Sequence, residues 1–117
     1  MTSPQESIDR FRCPCCNQNL IDLRVVDIHE RVEAQLKRKL PVNSGYRCKK
    51  HNEELKASPT SSHTRGLADD IDCDDSPTRF LIIKFLISIG VTRIGLARGF
   101  LHFDIDRQKD QEVAWFY

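Results

Sequence analysis

The clearest periodic signal in the chain runs from Ile21 through Val25, Ile28 and Val32 to Leu36, with apolar residues at steps of three or four and polar residues between them. On a helix of 3.6 residues per turn this spacing makes one apolar stripe, so the sequence predicts an amphipathic helix packed on a core. Pro41 lacks an N–H and clashes with the preceding turn, which stops that helix. A brief extended segment is expected over 42–46 and a short second helix over 48–57, CKKHNEELKA. The stretch 58–66, SPTSSHTRG, is a loop by composition. His29 lies one turn after Val25, at the edge of the stripe, and is expected to be partly solvated.

The second half alternates with a period of two. In 67–73, LADDIDC, residues Ala68, Asp70 and Asp72 share one strand face and Leu67, Ile71 and Cys73 the other. Asp69 falls on the apolar face, where a carboxylate is out of place. Ser76-Pro77 fits a helix start, with Ser76 as N-cap, and Gly90 fits the end of a helix over 77–89. Strands are expected over 92–97 and 100–106, joined as a hairpin, with a last strand over 112–117. Helices first and hairpins later predict an α+β fold, a single domain whose antiparallel sheet carries its helices on one side. The polar segment 1–10 is expected to be loosely ordered ahead of a domain over 11–117.

A length of 117 residues fits one domain, and 39% hydrophobic residues suit a soluble one. No apolar run reaches the ~18 residues that crossing a bilayer requires, which argues against membrane insertion. The opening MTSPQESIDRFR has no apolar stretch of the signal-peptide kind, so synthesis in the cytoplasm is expected. A net charge of +1 with interspersed signs argues against a nucleic-acid binder. A monomer is expected. Five cysteines, an odd number, favour metal ligation or free thiols over a disulfide framework.

The chemistry concentrates in SSHTRGLADDID, which carries Ser61, His63, Gly66, Ala68 and Asp70. Imidazole and carboxylate are ordinary zinc ligands, and small Ala68 leaves room beside Asp70 on the same face. In GFLHFDID, His102 and Asp104 are two apart on a strand and point to one face. If the two strands pair, His63, Asp70 and His102 converge as three ligands with one open position, the catalytic rather than the structural zinc arrangement. Asp104 is placed to move a proton to the leaving amine; the alternative is that it orients a ligand imidazole. Arg47, in NSGYRC, is a candidate for stabilising the oxyanion or holding a substrate carboxylate, against a plain structural salt bridge.

The pattern SGYRCKKHN, SSHTRGLADDID and GFLHFDID, in that order, resembles the zinc D-Ala-D-Ala carboxypeptidase family. That family includes murein endopeptidases and phage endolysins and shares its fold with the Hedgehog signalling domain. The resemblance implies a Zn2+ cofactor on His63, Asp70 and His102, a substrate-side Arg47 and a substrate contact at Ser61. It implies hydrolysis of an amide bond in peptidoglycan stem or cross-link peptides, as a carboxypeptidase or endopeptidase, with action on the cell wall after release. Many members place a carboxylate three residues before the third ligand; here that position is Gly99, so the base role falls to Asp104, with Asp72 as the nearest spare carboxylate. The alternative function is a catalytically inactive, zinc-stabilised binding domain of the same fold.

Cys13-x-x-Cys16 and Cys48-x-x-His51 have the spacing of a zinc knuckle pair, so Cys13, Cys16, Cys48 and His51 form a candidate second, structural metal site, with Cys15 left over. A disulfide from Cys48 to Cys13 or Cys16 is the other reading, and a zinc-ribbon interaction module follows if this segment is the main site. Cys73, on the apolar strand face, is expected to be buried. Trp115, Phe116 and Tyr117 either pack in the core or line a substrate groove.

Overall fold

A computed structural model describes residues 4–117 of the chain. Its helices are α1 (Pro4–Asp9), α2 (Leu23–Leu36), α3 (Lys49–Glu54) and α4 (Ser76–Ser88), and its strands are β1 (Val42–Ser44), β2 (Ala68–Asp72), β3 (Arg93–Leu96), β4 (Phe100–Asp104) and β5 (Val113–Phe116). The strands form one sheet in the order β1-β2-β4-β3-β5. The fold is a single α+β domain.

The apolar stripe of α2 does what its period predicts. Val25, Val26 and Val32 join Ile71, Ile82, Leu86, Ile94, Leu101 and Phe103 in one buried cluster. This cluster lies between one sheet face and the pair α2 and α4. Each such side chain contributes about 1.5–3 kcal/mol when fully buried. The helix boundaries differ slightly from expectation. Asp22 caps α2 by accepting from the Arg24 N–H, and Lys37 ends it in the left-handed region at φ 57°. The stop therefore comes four residues before Pro41. Asp75, not Ser76, caps α4, accepting from the Thr78 N–H at 2.8 Å. The carboxylate reaches the N–H of the third helical residue, Thr78, past Pro77, which has none, and this leaves Ser76 inside the helix.

Within the segment 1–10, Pro4–Asp9 form α1, and Met1–Ser3 lie outside the described residues. Polar contacts join this end of the chain to the rest of the domain. Arg10 forms a two-bond fork with Glu33, both bonds 3.0 Å, and Asn19 donates to the Ile8 carbonyl at 2.8 Å.

Sheet pairing is antiparallel except between β3 and β5, which run parallel. The expected antiparallel sheet thus carries one parallel edge. β4 ends where β3 begins, so the chain after Asp104 needs only the 105–112 loop to return alongside β3 in the same direction. Asp106 shapes that loop, accepting from the Gln108 N–H at 3.1 Å while its own carbonyl accepts from Gln111 Nε2 at 2.9 Å.

The misplaced carboxylate of β2 has a partner. His29 is fully buried rather than partly solvated, with Nδ1 2.6 Å from Asp69 Oδ2 and Nε2 2.8 Å from the Leu40 carbonyl. The expectation failed because stripe position gives a residue's angle on the helix and not what lies opposite it. Burial works against charge on this imidazole, but the Asp69 carboxylate and its hydrogen bond outweigh it and raise the His29 pKa. Among the described residues, no helix is long and apolar enough to cross a membrane.

Candidate metal centre

Strand register assembles a row across the sheet face opposite the core: Ser44 opposite Asp70, Asp70 opposite His102, His102 opposite Gly95, and Gly95 opposite Trp115. Two ligand-type residues are therefore direct cross-strand neighbours. The third, His63, arrives from a 3-10 turn, Ser62–Arg65, just before β2. Ser61 starts that turn, its Oγ accepting from the His63 N–H at 3.3 Å, and Gly66 closes it at φ 72°. A Cβ on Gly66 would lie 2.0 Å from the Leu20 carbonyl oxygen, so the turn needs glycine for space as well as for conformation. Ser62 Oγ donates to Asp106 Oδ2 at 2.6 Å, and Arg65 pairs with the same carboxylate, fastening the turn to the loop after β4.

One nitrogen, one carboxylate oxygen and one nitrogen from His63, Asp70 and His102 lie within 4.8 Å of one another. His63 Nδ1 donates to the Gly45 carbonyl at 2.7 Å, which in the neutral ring leaves Nε2 with its lone pair. His63 Nε2 is buried, has no hydrogen-bond partner, and stands 3.3 Å from Asp70 Oδ1. His102 Nδ1 lies 2.8 Å from the same oxygen. An orphaned nitrogen facing a carboxylate and a second imidazole fits a divalent ion of the zinc type. Burial alone would raise the Asp70 carboxyl, but the hydrogen bond from His102 and the pull of His63 hold it well below the usual carboxylate range.

Asp104 is buried behind His102. Its Oδ2 is 2.7 Å from His102 Nε2, and its Oδ1 accepts from Arg93 Nε at 2.7 Å and from the Asp106 N–H at 3.2 Å. Both oxygens are thus engaged. This is the geometry of a group that fixes the tautomer and tilt of a ligand imidazole, the alternative weighed for Asp104, rather than of an unattached proton acceptor. Burial opposes ionisation of Asp104, while His102 and Arg93 outweigh it and lower its pKa. Asp72 is exposed at the end of β2, opposite Phe100, and does not line the cavity.

Arg47 is held by Ser44 Oγ at 3.0 Å and Asn52 Oδ1 at 3.3 Å, and its remaining nitrogen reaches Asp70 Oδ2 at 3.4 Å. These groups open into a cavity of about 490 Å³, lined by Arg47, Ser61, His63, Asp70, His102 and the aromatic pair Trp115 and Tyr117 among others. Trp115 and Tyr117 lie tilted and edge-on near His102, with ring centroids at 5.4 and 6.2 Å, while Phe116 is exposed to solvent. The aromatic end of the chain therefore forms a wall of the groove. Gly95 makes the wall possible: a Cβ there would meet Trp115 Nε1 at 2.7 Å.

The Cys-rich segment departs from expectation in one ligand. Cys13, Cys16 and Cys48 do come together, but with Cys15, their sulfurs all within 4.8 Å. His51 is outside the group: its backbone N–H donates to Cys48 Sγ at 3.4 Å, and its ring faces Glu54 at 4.0 Å. His51 is the third residue of α3, and its ring is not among the groups gathered with the sulfurs. Cys73 is buried, as expected.

Sequence reasoning missed Arg93 and the Gly45 carbonyl. The signal for Arg93 was present. A hairpin with Ile94 opposite Phe103 puts Arg93 beside Asp104, and the short turn fixes that register. Nothing in the sequence marks a particular backbone carbonyl.

His63, Asp70 and His102 thus form a buried group able to hold a metal ion at the floor of an open groove, with Arg47 beside it. The chain belongs to the Peptidase M15 family, whose profile matches residues 7–104. The protein is therefore a peptidase of a zinc-dependent metallopeptidase family. Neither the curated proteins nor the solved structures compared with it gave a match.

Proposed function

We propose that the protein hydrolyses an amide bond in peptidoglycan stem or cross-link peptides, with zinc on His63, Asp70 and His102, and acts at the wall as a phage- or prophage-type lysin. The observation that carries the metal assignment is His63 Nε2, buried without a partner beside Asp70 and His102. The wall substrate is supported by family membership and by the motifs that resemble the D-Ala-D-Ala carboxypeptidases. A cationic rim formed by Arg47 and Lys109 also suits peptides rich in carboxylates.

When bound, zinc supplies Lewis-acid polarisation of the scissile carbonyl and a nucleophile at neutral pH. The chain's own groups prepare the site. The Gly45 carbonyl sets the His63 tautomer, and Asp104, itself fixed by Arg93, sets that of His102. Arg47 is restrained by Ser44 and Asn52, so its guanidinium is positioned before substrate arrives and meets either the developing oxyanion or a terminal carboxylate. Ser61 acts through the His63 backbone and lines the groove, where it is available to a substrate carbonyl. Trp115 and Tyr117 shield the His102 side from water.

The test is mass spectrometry of purified peptidoglycan digested with the zinc-loaded protein, with His63→Ala as control. New muropeptide fragments that vanish in the control name the bond. An unchanged digest by zinc-loaded protein would overturn the lytic reading in favour of a binding domain of the same fold.

A further inference from the structure

We propose a second zinc site, structural rather than catalytic, made by Cys13, Cys15, Cys16 and Cys48. Three of its sulfur separations are 3.6 Å (Cys13 to Cys15), 3.6 Å (Cys13 to Cys48) and 3.2 Å (Cys15 to Cys48). A disulfide needs about 2.05 Å, well short of these separations, and all four cysteines, Cys16 included, are free. Four thiolates at about 2.3 Å from one zinc stand about 3.8 Å apart around a tetrahedron, close to what the cluster shows. Four protein ligands close the coordination shell, which is the structural pattern.

The surrounding backbone is built for thiolates. The Cys48 N–H points at Cys13 Sγ at 3.5 Å, and the His51 N–H at Cys48 Sγ at 3.4 Å. The Cys13–Gln18 segment folds back on itself: the Cys13 N–H donates to the Gln18 carbonyl at 2.8 Å, and the Cys13 carbonyl accepts from Asn17, which sits at φ 62°. That turn brings three cysteines separated by at most two residues to one point. Arg12, Lys49 and Lys50 adjoin the ligands in sequence and offset the negative charge of a four-thiolate site. Binding exchanges the thiol protons for the ion, so it is reversible by acid and by chelators.

The position gives the site a purpose. Cys13 and Cys48 flank a seam where the Tyr46 N–H donates to the Phe11 carbonyl at 2.7 Å, and where a Cβ on Gly45 would lie 2.7 Å from the Phe11 backbone. The same seam presents the Gly45 carbonyl to His63 and Arg47 to Asp70. A metal clamp at its end fixes the wall of the groove that carries both.

The test is metal content of the full chain, reloaded with zinc under reducing conditions, together with the cobalt(II) spectrum. Two zinc ions per wild-type chain are expected, one in His63→Ala and one in Cys16→Ser, whose thiol is exposed and whose loss disturbs the core least. The cobalt-loaded wild type should show thiolate-to-cobalt charge transfer that persists in both His63→Ala and His51→Ala. Loss of that band in His63→Ala, its absence in the wild type, or one zinc per chain that disappears with His63→Ala would overturn the proposal. So would an intact mass short of thiol hydrogens in protein purified from the cytoplasm. Peptidase activity is not a readout here, so failure of this site and failure of the lytic reading are told apart.

Discussion

Replacing His29 with leucine removes both hydrogen bonds of a buried imidazole, the 2.6 Å contact to Asp69 and the 2.8 Å contact to the Leu40 carbonyl. Asp69 is then left fully buried, with its Oδ1 already lacking a partner. Breaking a buried pair by deleting one member costs about 3–5 kcal/mol, because the surviving charge has no compensation. Asp69 can shed its charge by taking a proton, since burial already raises its pKa, and this draws the loss towards the lower figure. Against a total stability of about 5–15 kcal/mol for a domain, the change is large. With a urea slope of about 1.5 kcal/mol per molar, the unfolding midpoint falls by about 2–3 M. The measurement is urea denaturation followed by circular dichroism, with metal chelated in every sample so that zinc binding does not enter the comparison. The double variant His29→Leu with Asp69→Leu should recover most of the loss, since an apolar replacement of both partners leaves no orphan. A single-variant shift under about 0.5 M, or losses that merely add in the double variant, would refute the claim that the pair is coupled.

Three further outcomes are expected. Asp104→Asn should weaken zinc binding by about 10–100-fold, read by competition with a chromogenic chelator, because the amide no longer fixes His102 as the carboxylate does; unchanged affinity with activity abolished would return Asp104 to the base role. Gly95→Ala should raise KM more than it lowers kcat, because the new methyl displaces the Trp115 ring from the groove wall; equal kinetics would show that the wall does not touch substrate. Glu33 links stability to pH. Burial would raise its carboxyl, but the Arg10 fork and the Leu40 N–H outweigh burial and hold its pKa below the ordinary value of about 4.3. A depressed folded pKa means that the contribution is present above the unfolded value and is lost as pH falls through the folded one. Stability curves of the wild type and Glu33→Gln should therefore converge on acidification below about pH 4; parallel curves would exclude this linkage.

Much of this architecture is legible in one sequence, because period and punctuation are local properties. The stripe from Ile21 to Leu36 yields α2, and the alternation around Asp70 and His102 yields the two strands that bear ligand-type residues. What was not legible depends on partners. His29 and Asp69 each look anomalous alone, one on a helix edge and one on an apolar strand face, and only their contact explains both. The parallel β5 follows from where β4 ends in space. Cys15 joins the sulfur cluster because Asn17 turns the chain, whereas His51 has suitable spacing but its ring meets Glu54 instead. Spacing constrains which residues are able to meet; side-chain direction decides which of them do.

The adjacent pair Asp69 and Asp70 also acts as a proofreading device for strand assembly. Two neighbouring carboxylates on opposite faces each require their own counterpart, His29 beneath the sheet and the imidazoles above it. If β2 slipped by one residue, either Ala68 would take the place of Asp69 and strand His29, or Ile71 would take the place of Asp70 and leave the imidazoles without their carboxylate. Either one-residue slip leaves a buried ionisable group without its partner. The chain thereby rejects misregistered folds at the strand that positions its chemistry, and it does so before any metal is bound.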